Sequence, residues 1–77
     1  MHRMDTGVRR FKHLTLVDRD GQPIKATIKF LVFPGRPPRR VFEAGLTERG
    51  ERLRQHGESA YITDGGDVLV EEEWSRP

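Results

Sequence analysis

An Asp-Gly pair sits between two stretches that alternate apolar and polar residues, in the run Val17-Asp18-Arg19-Asp20-Gly21-Gln22-Pro23-Ile24. Gly accepts the positive φ that a tight hairpin turn demands, so this pattern is among the strongest short-range hairpin signals. It constrains more than the turn, because a hairpin has a register and the register sorts side chains onto two faces. A type I turn with a Gly bulge pairs Asp18 with Gln22, Leu16 with Ile24, Leu14 with Ala26 and Lys12 with Ile28. One face then holds Leu14, Leu16, Ile24, Ala26, Ile28, Phe30 and Val32, and the other Arg9, Phe11, His13, Thr15, Lys25, Thr27 and Lys29. A two-residue Asp20-Gly21 turn would pair Val17 with Ile24 and mix these faces, since a one-residue slip moves a whole strand's side chains across the sheet. The bulged register is preferred for that reason.

Two further elements are expected. Thr47 suits a helix N-cap, Glu48 the first turn and Gly57 the C-terminal cap, which predicts a short helix over Glu48 to His56. Gly50 inside that helix costs about 1 kcal/mol against Ala, so packing on the sheet must hold it. Beyond it, Ala60 to Thr63 and Val68 to about Trp74 flank Asp64-Gly65-Gly66-Asp67 and read as a second hairpin. A two-residue Gly65-Gly66 turn groups Tyr61, Thr63, Val68, Val70 and Trp74 on a core face and pairs Ile62 with Leu69 on the other. The expectation is an α+β domain over residues 1–77, ββαββ, with the helix packed on one face of a small single-layer sheet. Residues 1–7 are expected to be a flexible N-terminus, and 34–40, with three prolines, a stiff exposed connector. No internal repeat is evident beyond the echo of two hairpins around a helix.

Seventy-seven residues, 34% hydrophobic and 34% charged, leave little core material, so covering apolar surface by forming a homodimer is one expectation. The absence of Cys removes disulfides, no apolar run reaches the length of a membrane span, and the start lacks the apolar stretch of a secretory signal. These features predict a soluble protein of the cytoplasm.

The chemistry-bearing motifs thin out on inspection. Asp18-Arg19-Asp20-Gly21 is similar to part of a calcium loop, but the ligand positions before and after the Gly fall on Leu16 and Thr27. His2, His13 and His56 share no metal-ligand spacing, Ser59 and Ser75 lie in no nucleophile elbow, and no phosphate loop is present. The expectation is a non-catalytic binding module without cofactor or metal.

What remains is charge. Residues 1–40 balance at +7 and residues 41–77 at −5, which sum to the net +2. Arg9, Lys25 and Lys29 interleave with Phe11 and His13 on the polar hairpin face, and Arg36, Arg39 and Arg40 follow on the Pro-rich connector. Cations for phosphate and rings for stacking form a nucleic-acid-binding combination. Gly35-Arg36-Pro37 also resembles an AT-hook core, with Pro34 where an Arg is usual, and Pro34-x-x-Pro37-x-Arg39 fits a polyproline ligand. Contact with nucleic acid or a nucleoprotein is thus the first expectation. The second is a regulator or inhibitor of a larger protein complex, acting through edge strands or the strip Glu71-Glu72-Glu73.

Overall fold

A computed structural model describes residues 6–72 and contains six antiparallel strands that close into a barrel in sequence order. The strands are β1 (Val8–Val17), β2 (Pro23–Phe33), β3 (Arg39–Thr47), β4 (Arg52–Gln55), β5 (Ala60–Thr63) and β6 (Val68–Glu71). The expected α+β arrangement is therefore overturned, because the described residues include no α-helix and the sheet curls shut instead of lying as a single layer.

The first hairpin has the bulged register. Leu16 opposes Ile24, Leu14 opposes Ala26 and Lys12 opposes Ile28. Gly21 takes a φ of +78° and donates to the Asp18 carbonyl at 2.9 Å, while Asp18 Oδ1 accepts from the amides of Asp20 and Gln22 at 2.9 and 2.8 Å.

Residues 47–51 repeat this turn where a helix was expected. Gly50, at φ +83°, donates to the Thr47 carbonyl at 2.9 Å, and the Thr47 amide donates to the Glu51 carbonyl at 2.9 Å. Thr47 Oγ1 accepts from Arg49 and Glu51 amides at 3.2 and 3.1 Å. An N-cap hydroxyl also accepts amides just downstream, so the same Thr suits either structure. The predicted helix contained one apolar residue, Leu53, too little to anchor an amphipathic face. As strand β4, Leu53 turns inward and is only 3% exposed.

Residues 63–67 form the third copy. Gly66, at φ +90°, donates to the Thr63 carbonyl at 2.9 Å, and Thr63 Oγ1 accepts from the Asp67 amide at 3.1 Å. This turn displaces the expected two-residue one and slips the register by one residue, so that Tyr61 opposes Leu69 and Ile62 opposes Val68. Leu69 is consequently core at 1% exposure, and Val68 faces out at 42%. Trp74, assigned to the core face from sequence, lies outside the described residues, as do 1–5 of the expected N-terminal tail. The three turns lie at one end of the barrel, where Asp18, Arg19, Asp20, Arg49, Glu51 and Asp67 line a shared hollow.

The core gathers Leu16, Ile24, Ala26, Ile28, Leu53, Tyr61 and Leu69, with Leu14, Phe30 and Phe42 packed against it. Each fully buried large side chain contributes about 1.5–3 kcal/mol. Gly45 lets β3 approach closely, since a Cβ there would stand 2.8 Å from Ile28 Cδ1 and 3.0 Å from Leu53 Cβ. The buried hydroxyls of Thr47 and Thr63 are both satisfied by the turns they start.

The barrel closes over a short length. β1 meets β6 only at Leu16 and Val17, and β3 meets β4 only at Gly45 and Leu46. The rest of β1, with the adjoining parts of β2 and β3, continues as a three-stranded arm whose outer strands have no neighbour among the described residues. From Val8 to Leu16 that arm extends about 26 Å at strand rise, and the molecule measures 51 × 28 × 18 Å.

Candidate nucleic-acid interface

Strand alternation and one bulge decide where the arm's charges point. Lys29 opposes Ala44 while Phe30 opposes Phe42, so Glu43 is an extra residue in β3. The bulge lets Phe42 and Gly45 both face inward and aims the Glu43 carboxylate outward. There it lies 3.5 Å from Arg9 Nε and 4.0 Å from Lys29 Nζ. Such partly exposed pairs at 3.5 Å or more contribute about 1 kcal/mol or less, so Glu43 dampens these two cations without locking them.

The outer face of the arm carries Arg9, Phe11, His13, Lys29 and Arg39 in successive rows. Phe11 stands opposite Lys29 and is 62% exposed, so one ring face is open to a stacking partner. His13 Nδ1 and Thr27 Oγ1 are 3.0 Å apart across the strand pair and share a hydrogen bond. The Arg39 guanidinium lies 4.7 Å from the Phe33 ring centre, a cation–π contact that fixes its direction.

The remaining candidates are dispersed. Arg40, next in β3, projects from the opposite face and sits 5.5 Å from the Phe30 ring centre. Arg36 is exposed in the connector at the tip, where the Arg36–Pro37 peptide bond is cis. Lys25 shares the outer side but lies back on the barrel wall beside the second turn. Its backbone amide donates to Glu48 Oε2 at 3.1 Å, and its carbonyl accepts from the Glu48 amide at 2.8 Å. Of the acidic strip, Glu71 opposes Leu16 at the barrel seam and accepts a 3.5 Å hydrogen bond from the Tyr61 hydroxyl. Glu72 is half-buried, and Glu73 lies outside the described residues.

Burial, and then the Glu71 carboxylate beside it, raise the Tyr61 hydroxyl above its ordinary value of 10.0, because both disfavour the phenolate. The Tyr61 ring packs on Phe42 at a centroid distance of 5.9 Å. At the root of the arm's inner face, Lys12, Phe30, Arg40, Phe42, Tyr61 and Glu71 help line a concavity of about 120 Å³. Ligand pockets start near ~300 Å³, so this is a charged wall with a shallow floor.

Two cations were missed in the sequence. Arg10 and Lys12 alternate with the outward residues and share the inner face with Arg40, where both are exposed. Among the described residues, counting both faces and the tip, the strands and connector of the arm hold seven cations (Arg9, Arg10, Lys12, Lys29, Arg36, Arg39, Arg40) against the carboxylate of Glu43, with Glu58, Glu71 and Glu72 near Lys12 at the root. The turn end is the opposite, with Asp18, Asp20, Glu48, Glu51, Asp64 and Asp67 outnumbering Arg19, Arg49 and Arg52. Among the described residues, no group of His, Cys, Asp or Glu is arranged to hold a metal ion. No helix among them is long and apolar enough to cross a membrane. No protein-family model, curated protein or solved structure matches this chain.

Proposed function

We propose that the protein binds nucleic acid, or the nucleic-acid part of a nucleoprotein, through the three-stranded arm. The observation that carries this reading is the charge of the arm, whose described residues set seven cations against the one carboxylate of Glu43 on a projection that no other described residue covers beyond its root. A polyanion that neutralises those cations releases counterions, the main sequence-independent source of affinity. The exposed Phe11 ring supplies a stacking platform for an unpaired base. The acidic turn end repels the same polymer and leaves the arm as the leading end of approach.

Capture of a protein strand by the free edges is the second reading, and the same geometry supports it less well. Arg9, Arg10 and Lys12 on β1 and Arg39 and Arg40 on β3 crowd those edges with charge, a pattern that guards against strand addition. A second copy paired through β1 would set these cations against their equals. The acidic strip is also interrupted, since Glu71 is engaged by Tyr61.

Fluorescence anisotropy with labelled RNA and DNA oligonucleotides tests the proposal. Three to five phosphate contacts predict a log–log salt slope of roughly −2 to −4. Phe11→Ala should weaken single strands more than duplex, because only unpaired bases reach the ring. Absence of binding to every oligonucleotide at low salt would overturn the reading.

A further inference from the structure

We infer that the arm lies between two phosphate backbones, so that the preferred ligand is a branched or folded nucleic acid and not one linear strand or duplex. The inference rests on the nucleic-acid reading above and concerns the shape of the ligand. Its basis is the distribution of cations over the two faces. Arg9, Lys29 and Arg39 project from the outer face, and Arg10, Lys12 and Arg40 from the inner. A protein that rests on one surface needs its cations on one side, and the other side is then free to carry carboxylates. Among the described residues of the arm's own strands, the one carboxylate is Glu43, on the outer face between Arg9 and Lys29.

Among the described residues the inner face is open for contact, because they close the barrel only at Leu16–Val17 and Gly45–Leu46 and none of them covers the arm from there outward. Arg10, Lys12 and Arg40 are all exposed. Among the described residues, carboxylates appear on that side at the root, where Glu58 and Glu71 border the concavity. A backbone on the inner face would therefore run along the arm past Arg10, Arg40 and Lys12, and stop at the root where Glu58 and Glu71 stand. Arg36 at the tip adds a cation that either backbone reaches. A linear duplex presents one convex surface and engages three of these six strand cations at a time. A junction presents two backbones facing a common gap and engages both sets.

An immobile four-way junction, a linear duplex of the same sequence and one of its single strands, each made in DNA and in RNA, separate the possibilities. The junction in at least one of the two chemistries should bind about tenfold tighter than its duplex. Its salt slope should be steeper by about two, as expected for two or three additional phosphate contacts. Arg9→Gln with Lys29→Gln, and separately Arg10→Gln with Lys12→Gln, should each bring the junction down to duplex affinity. Duplex binding should fall less than about threefold in either variant, because the opposite face still offers a site. Equal affinity for junction and duplex would overturn the inference, as would one pair abolishing both while the other pair changes nothing. Loss of binding to all six probes in the unmodified protein would instead overturn the nucleic-acid reading itself.

Discussion

Strands β1, β2 and β3 run through two regions with opposite properties. In the barrel their inward side chains meet Leu53, Tyr61 and Leu69 from the short strands, and Leu16 and Ile28 are at most 2% exposed. A few residues further along the same strands, with the same inward parity, Val8 is 50% exposed and Arg10 and Lys12 are exposed as well. Nothing in local pattern separates these regions; closure does. β4, β5 and β6 have four residues each and cover only the turn-proximal half of strands that have nine to eleven. The barrel holds the core, and the arm holds the excess positive charge of the described residues.

Substitutions in the two regions should differ in kind, and the largest effect belongs to the barrel. Gly45→Val would force Cβ and two methyls into Ile28 and Leu53, already at 2.8 and 3.0 Å from the first added atom. A loss of about 3 kcal/mol is expected in urea unfolding, the upper part of the usual range for overpacking. Little or no loss would mean that β3 does not approach the core at Gly45.

Next comes Gly50→Ala, where two structures predict opposite signs. In a helix, Ala would stabilise by about 1 kcal/mol over Gly. At φ +83°, Ala is strained, and a loss of about 1–2 kcal/mol is expected. Gly21→Val should be more costly, about 2–3 kcal/mol, because a β-branched residue tolerates positive φ least. Thermal unfolding of the two variants reads both signs.

A smaller effect attaches to pH. Because the folded state holds the Tyr61 proton more tightly than the unfolded chain does, this stabilisation is complete below pH 10 and is lost as pH rises through the raised folded value. Tyr61→Phe should flatten the fall in stability above pH 10 while leaving the neutral-pH fold in place. An identical alkaline slope in both proteins would show that Tyr61 stays solvated.

The first hairpin was legible to the register because Asp18 and Gly21 specify one turn and the flanking alternation agrees with it. The second turn was not, because a Thr hydroxyl that accepts downstream amides serves a helix start equally well. The distinguishing mark was the position of the Gly. Asp18-x-x-Gly21, Thr47-x-x-Gly50 and Thr63-x-x-Gly66 are one motif in three places. Reading it as a repeat also corrects the third hairpin, where Gly65-Gly66 drew the turn one residue too far along. The bulge at Glu43 left no comparable mark.

The candidate site was legible in part. The outward parity of Arg9, Phe11, His13, Lys25 and Lys29 followed from the first register. Arg10 and Lys12 did not stand out, because the same parity puts them on the nominally apolar face, and only the early end of barrel closure leaves that stretch uncovered. Arg39 and Arg40 were grouped as one connector, whereas as consecutive strand residues they point to opposite faces.

The proposed division between a self-sufficient barrel and a nucleic-acid-binding arm is tested most directly by the affinity of the quadruple variant Arg9→Gln, Arg10→Gln, Lys12→Gln, Lys29→Gln for nucleic acid at low salt, measured alongside its melting curve. The account predicts an unchanged or slightly higher melting temperature, since like charges have been removed, together with loss of nearly all the affinity and most of the salt slope. A variant that melts like the parent and still binds with the parent's affinity and salt slope would contradict it.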